Sequence, residues 1–381
     1  MSKLFSAFSW SPVFSDNHHL RQVIDGMEVL DKSEVFFLIG GPFFVKNGNR
    51  LQRVNFFEED STLGSLEEDQ REIIAEIVKI YRENAGEPSH ESIRERVDVF
   101  FELNGGYFRA LVESCRAGTN LRVEIRRIRN NLFSLKGLGY PDSIFQKLLE
   151  FTSGLIFVVS PPEGEARTAA LSLVHEIASL KEATAVCFED SLSSLVLSKK
   201  TMIVQKTLGF DFTSWDSVKD EASSPSSVVY ISDINSKEKG WTALYIALSG
   251  KLVVVSMISG SVTEAFQKLE GFFPPLERNF MRAQLSSVFR ALIYQNFVPR
   301  KDSMNRRVLT FSAVFSSPRV CTLLMEGKYK QLDSESLSAP GVSYISSLKF
   351  LYRKGFISED SFVSEQRRYY GYVDKGGEDR P

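Results

Sequence analysis

At 381 residues the chain is longer than one ordinary hydrophobic core organises, and length alone favours two domains. A composition of 43% hydrophobic and 25% charged residues is that of a soluble globular protein and excludes a disordered chain. Lys and Arg number 46 against 48 Asp and Glu, so the formal charge of −2 gives no global attraction to nucleic acid or to an anionic membrane.

Residues 1–16 contain Phe-rich patches but no continuous apolar stretch, so they do not read as a signal peptide. The longest apolar runs, 155–159 and 252–255, fall far short of the ~20 residues that span a bilayer. Cys115, Cys187 and Cys321 lie far apart with no C-x-x-C pair. This spacing excludes a disulfide framework and a zinc ribbon, and suits a reducing compartment. A cytoplasmic protein is the expectation.

The first half reads as mixed α and β. Residues 33–50 hold two β-rich runs joined by Gly40-Gly41-Pro42, with Asn47-Gly48 as a hairpin signal after the second. A helix is predicted over 65–84, with Ser65 as N-cap, an acidic first turn, and Ile73, Ile74, Ile77, Val78 and Ile80 at helical spacing. Residues 97–103, 107–113 and 120–128 read as an antiparallel meander, with turns at Asn104-Gly105-Gly106 and Ala117-Gly118. Gly137, Gly139 and Pro141 then mark a boundary. Beyond it, short apolar strands at 154–160, 183–188, 228–232 and 251–257 alternate with helical or loop segments. That alternation predicts a parallel sheet with both faces covered, crossed by helices at 241–249 and 262–269.

A strand, loop and helix over 154–181 stand where a phosphate-binding loop would sit, and the landmarks around them are similar in order to one family. Asp98-Val-Phe-Phe-Glu102 resembles a D-x-x-F-E strand, and Phe188-Glu189-Asp190 an acidic box. Residues 271–285 resemble the helix after a Phe-Pro turn, and Ser317-Pro-Arg-Val-Cys-Thr-Leu-Leu-Met-Glu-Gly-Lys328 a C-terminal retraction motif. Together, over roughly residues 30–360, the chain resembles the hexameric ATPases of type II secretion and type IV pili, most of all the PilT-like pilus retraction motors. The resemblance implies an α/β fold in three parts. They are an N-terminal PAS-like α/β domain with an antiparallel sheet (1–140), a RecA-like parallel-sheet domain (141–335) and a C-terminal helical tail (336–381).

The departures from the family pattern carry the functional content. A working loop reads G-x-x-x-x-G-K-[ST], its amides cradling phosphates, its Lys reaching the terminal ones and its hydroxyl binding magnesium. Aligned without gaps, the glycines fall at Ser160, Glu163 and Glu165, the lysine at Ala166 and the hydroxyl at Arg167. Thr168 survives, and Gly164 stands one place out of register. A carboxylate ~4 Å from a phosphate would cost on the order of 4 kcal/mol at an effective dielectric near 20. The Walker B glutamate position is Asp233, the histidine positions of a later box are Lys251 and Ile258, and Glu189 and Asp190 of the acidic box remain while its later glutamate is Ser193. Three arginines that the family directs at a neighbour's nucleotide align with Arg109, Arg116 and Arg126. A subunit that lines a neighbour's site would keep those arginines and lose its own cradle. The plainer alternative makes Arg109 and Arg126 solvated strand residues and Asp233 a turn residue. His18-His19 lacks companions at metal spacing, so no metal is assigned.

The functional expectation is a PilT-like protein without competent ATP binding, acting as an assembly, regulatory or partner subunit. No cofactor is expected, with ATP and Mg2+ required only under the alternative of a divergent working ATPase that drives pilus retraction or secretion. A third alternative is a nucleotide-free scaffold. By resemblance the partners are further copies in a hexamer, an intact homologue in a mixed ring, or an inner-membrane pilus platform protein that would hold the chain at the membrane periphery. Nucleic acid is not among them.

Overall fold

The computed structural model describes residues 18–370 apart from 48–49, 58–62, 86–95, 118, 131, 163, 193, 199, 222–227 and 337–340. The chain divides into two compact units between Asn130 and residue 131, ten residues before the division at 140 expected from sequence.

The first unit holds α1 (His18–Val29), β1 (Glu34–Leu38), β2 (Phe43–Asn47), β3 (Arg50–Val54), α2 (Leu63–Ala85), β4 (Arg96–Leu103), β5 (Gly106–Cys115) and β6 (Asn120–Ile128). Its six strands form one antiparallel sheet in the order β3-β2-β1-β6-β5-β4. Alternation decides the faces: Phe108, Ala110 and Val112 of β5 are buried, and Arg109 and Leu111 between them are only half-buried. The buried face joins a core with Leu20 and Ile24 of α1 and Ile73 and Ile77 of α2. Each such side chain contributes about 1.5–3 kcal/mol on leaving water. Asn47 pairs with Arg50 where the hairpin was expected, although Gly48 lies outside the described residues. Helix α2 already runs at Leu63, so Ser65 is inside the first turn and is not its N-cap.

The second unit opens with α3 (Leu135–Leu138) and α4 (Asp142–Leu149), then β7 (Gly154–Ser160), α5 (Ala166–Leu180), β8 (Ala185–Glu189), β9 (Ile203–Thr207) and α6 (Val218–Glu221). It continues through β10 (Val228–Ile231), α7 (Lys237–Leu248), β11 (Leu252–Ile258), α8 (Val262–Gly271), α9 (Pro275–Val288), β12 (Phe289–Arg300) and β13 (Ser303–Phe315). Helices α10 (Pro318–Glu326), α11 (Leu332–Glu335), α12 (Tyr344–Arg353) and α13 (Glu359–Tyr370) follow. The sheet order is β13-β12-β7-β11-β10-β8-β9, parallel throughout except for β13. Strands β7, β8, β10 and β11 are almost continuously apolar because apolar clusters cover the sheet on both faces.

The parallel sheet expected from sequence gains an antiparallel edge, where β12 and β13 form a long hairpin. Buried Gln295 and Asn296 interrupt the apolar run of β12, and Pro299 sits where the register shifts near its end, which hides the strand from its pattern. The C-terminal segment packs onto this hairpin: Tyr344, Leu348, Phe362 and Tyr369 share a cluster with Tyr294 of β12.

Candidate functional site

Ser160 ends β7 and Ala166 opens α5, so the loop between them has the position of a phosphate-binding loop. Its polar groups turn inward. The Gly164 amide donates to the Pro161 carbonyl at 2.8 Å, and the Ala166 amide to Ser160 Oγ at 3.1 Å. Ser160 Oγ in turn donates to Pro161 O at 2.8 Å, and Gln295 Nε2 of β12 holds the Gly164 carbonyl at 2.5 Å. A Cβ on Gly164 would lie 2.5 Å from Ser160 Cβ, so this turn is packed against its own start and needs a glycine. Glu165 takes a left-handed φ of 55°, the geometry a glycine adopts without strain, and stands at the N-cap of α5 without a side-chain capping hydrogen bond. Ala166, at the lysine position, is 4% exposed and joins the apolar cluster under α5. Glu163 lies outside the described residues.

Arg167, which the sequence alignment puts at the hydroxyl position, points to the end of β10. Its guanidinium donates to Asp233 Oδ2 through Nε at 2.6 Å and also through Nη2. Burial works against the Arg167 cation, and Asp233 outweighs it, so the group is held charged more firmly than a free arginine. Asp233 is fixed at every polar atom: its amide donates to Ser256 Oγ at 2.9 Å, Ser256 Oγ donates to Oδ1 at 3.1 Å, and Lys239 Nζ donates to its carbonyl at 3.0 Å. These bonds keep Asp233 at a left-handed φ of 41°, a strained backbone that persists because its surroundings over-determine it.

Lys239 of α7 supplies a second cation. Only 2% exposed, its ammonium pairs with Asp190, donates to Ser232 O at 3.2 Å and lies 4.5 Å from the Trp215 ring centroid. Burial pulls it below the ordinary lysine value against the opposing effect of Asp190 and Asp233. Asp190 also accepts from Trp215 Nε1 at 3.2 Å, and fully buried Glu189 accepts from Gln205 Nε2 at 3.1 Å. Thus Glu189, Asp190 and Asp233 stand at the ends of neighbouring strands β8 and β10, with Arg167 and Lys239 among them. Ile258 is registered beside Ser160 at the end of β11, and Ser193 lies outside the described residues.

The arginines of the first unit are dispersed in role. Arg109 forms a two-pronged bond to Asp98 at 2.7 and 2.5 Å, and Arg126, its cross-strand neighbour, pairs with Glu34 at 2.6 Å. Arg116 is exposed at the β5–β6 turn with φ 49°. The sequence reading missed Lys239, Ser256, Gln205 and Gln295. For Lys239 a signal existed: it shares helical spacing with Thr242, Ala243 and Ile246, which are all buried.

No family model matches the chain. It is similar to the twitching motility protein of Neisseria gonorrhoeae, 27% identical over 288 residues, or 74% of this chain and 73% of that protein. It is also similar to the type IV pilus ATPase PilU of Pseudomonas aeruginosa, 22% identical over 310 residues, or 79% of this chain and 75% of that protein. Among solved structures, the pilus retraction motor PilT with bound ADP has the same fold, with a TM-score of 0.74 at 21% identity, over 90% of this chain and 96% of that one.

Proposed function

The chain is a PilT-like member of the type IV pilus and secretion ATPase family, and from that premise we propose that it is a pseudo-ATPase: a subunit that keeps the motor fold and has given up ATP binding. The observation that carries this reading is the Arg167–Asp233 pair. In a working site the hydroxyl at the first position binds magnesium, and the carboxylate at the second polarises the attacking water beside it. Here a guanidinium takes the place of the ion, and Lys239 does the same beside Asp190. The residues present do not fit a magnesium triphosphate. The Gly164 and Ala166 amides are spent inside the loop, Glu165 carries negative charge at its mouth, and no lysine stands at Ala166.

Such a subunit works without nucleotide, in a ring of its own copies or in one shared with an intact homologue, in the cytoplasm and against a membrane-bound pilus or secretion platform. Among the described residues no helix is long and apolar enough to cross a membrane.

Isothermal titration with ATP and Mg2+ tests the reading. Each missing charge-assisted bond forfeits roughly 1.5–3 kcal/mol, so the expected affinity is weaker than millimolar, with hydrolysis at background. Micromolar binding would overturn the reading, and magnesium-dependent hydrolysis would establish a divergent working ATPase instead. Restoring the loop through Glu163→Gly, Glu165→Gly, Ala166→Lys and Arg167→Ser together is expected to bring measurable binding back. Arg167→Ser is needed because the guanidinium otherwise holds the place of the magnesium ion.

A further inference from the structure

Helix α2 presents a charge pattern that the nucleotide site does not use. A cavity of about 460 Å³ runs along it, bounded on the other side by Ile39 and Leu121, where the end of β1 meets the start of β6. This size is within the ~300–1,000 Å³ usual for binding clefts. The helix contributes Arg71, Ile74, Ala75, Val78, Lys79 and Arg82, which is the i, i+3, i+4, i+7, i+8, i+11 series of a single helix face. Ile74, Val78 and Leu121 make an apolar floor, and the small side chain of exposed Ala75 leaves it open at the centre. The rim is cationic.

That rim is selective. Arg71, Lys79 and Arg82 are all the basic residues of α2, and all of them line the cavity, whereas among the described side chains of the helix the acidic Glu67, Glu68, Asp69, Glu72 and Glu76 do not. Arg71 has an exposed i, i+4 pair with Glu67, a contact of little strength in water. Among the described residues no carboxylate pairs with Lys79 or Arg82, and both are exposed. An otherwise acidic helix thus concentrates its positive charge along one apolar groove.

We propose that this groove docks an acidic amphipathic helix of a partner protein. The spacing favours a helix over a compact anion. From residue 71 to residue 82 the rim extends about 16 Å, and Arg71 stands about 12 Å from Lys79, too far for a single phosphate or lipid headgroup to bridge. A helix laid along α2 seats its apolar side chains between Ile74, Ala75 and Val78, and its carboxylates, recurring every three or four residues, reach the cations on the rim.

The probe is a fluorescein-labelled peptide of about fifteen residues with leucines at i, i+4 and i+7 flanked by glutamates, compared with its glutamine counterpart. Fluorescence anisotropy on the full chain is expected to show saturable binding of the glutamate peptide that weakens with salt, and roughly tenfold weaker binding of the glutamine peptide. The variant Arg71→Gln/Lys79→Gln/Arg82→Gln, with an unchanged melting temperature, is expected to lose at least about tenfold in affinity. Ala75→Phe, which fills the floor, is expected to do the same. Should Ala75→Phe fail to fold, the charge variant decides alone. Equal binding by wild type and the triple variant overturns the proposal. So does charge-dependent binding to phosphatidylglycerol vesicles with none to the peptide, which assigns the groove to a lipid surface. So does sedimentation in which the triple variant dissociates an oligomer that the peptide cannot, which assigns it to a second copy.

Discussion

Arg167 falls, on a gapless alignment, where the family pattern has a small hydroxyl, and its consequence in the structure is local electrostatics. Asp233 is 6% exposed, so without its partner a carboxylate would remain in a dry setting held by Ser256 alone at its side chain. Arg167 itself is about one-third exposed, and solvent tempers the pair. Arg167→Ala is therefore expected to cost about 2 kcal/mol, less than the 3–5 kcal/mol of a fully buried pair. Asp233→Asn, which tolerates the left-handed backbone, is expected to cost a similar amount, and the double variant clearly less than the sum of the two. Urea unfolding of the four proteins measures this coupling. Additive costs would mean that the pair is incidental to the site.

Strand β12 does more than extend the sheet. Its fully buried Gln295 bonds Tyr140 Oη on one side and the Gly164 carbonyl on the other, and so joins the α3–α4 connection to the closed loop through a single side chain. Burial lifts the Tyr140 phenol far above its ordinary value, so it stays a neutral donor. Gln295→Leu keeps the approximate volume but leaves both partners unsatisfied, at about 1–3 kcal/mol each. The expected result is a lowered melting temperature together with faster amide exchange at Gly164 than at the amides of β7. Exchange that rises uniformly across the unit would show that Gln295 supports the sheet and not the loop.

At the scale of the whole molecule, if the chain serves as a nucleotide-free subunit, the arginines of the first unit decide what it contributes. Arg109 and Arg126 are held by Asp98 and Glu34, and Arg116 is exposed at a turn. If the subunit lends an arginine to an intact homologue's site, Arg116→Ala is expected to lower the ATPase rate of the mixed complex by an order of magnitude or more. It should do so while changing stability by no more than about 0.5 kcal/mol, as for other exposed substitutions. Arg109→Ala is expected to act on the sheet first, by removing the two-pronged bond to Asp98. A mixed-complex rate indifferent to Arg116→Ala leaves a scaffold role and removes the donor role.

The linear pattern by itself determined the antiparallel meander of the first unit, the apolar strands β7, β8, β10 and β11, and a loop without a lysine between β7 and α5. Each of these depends on local periodicity or on residue identity at a fixed spacing, which sequence carries directly. Tertiary structure decided the rest. Strand β12 was hidden because buried Gln295 and Asn296 look polar in sequence and are satisfied only by distant partners, Tyr140, Gly164 and Glu365. Lys239 looks like its neighbour Lys237 until folding buries the one against Asp190 and Trp215 and leaves the other at the surface with Glu277. The sequence marked Arg167 as a departure, but its pairing with Asp233, 66 residues away, exists only once β7 and β10 lie in one sheet. Charge identity is written along the chain, whereas charge compensation is a property of distance, and distance is set by the fold.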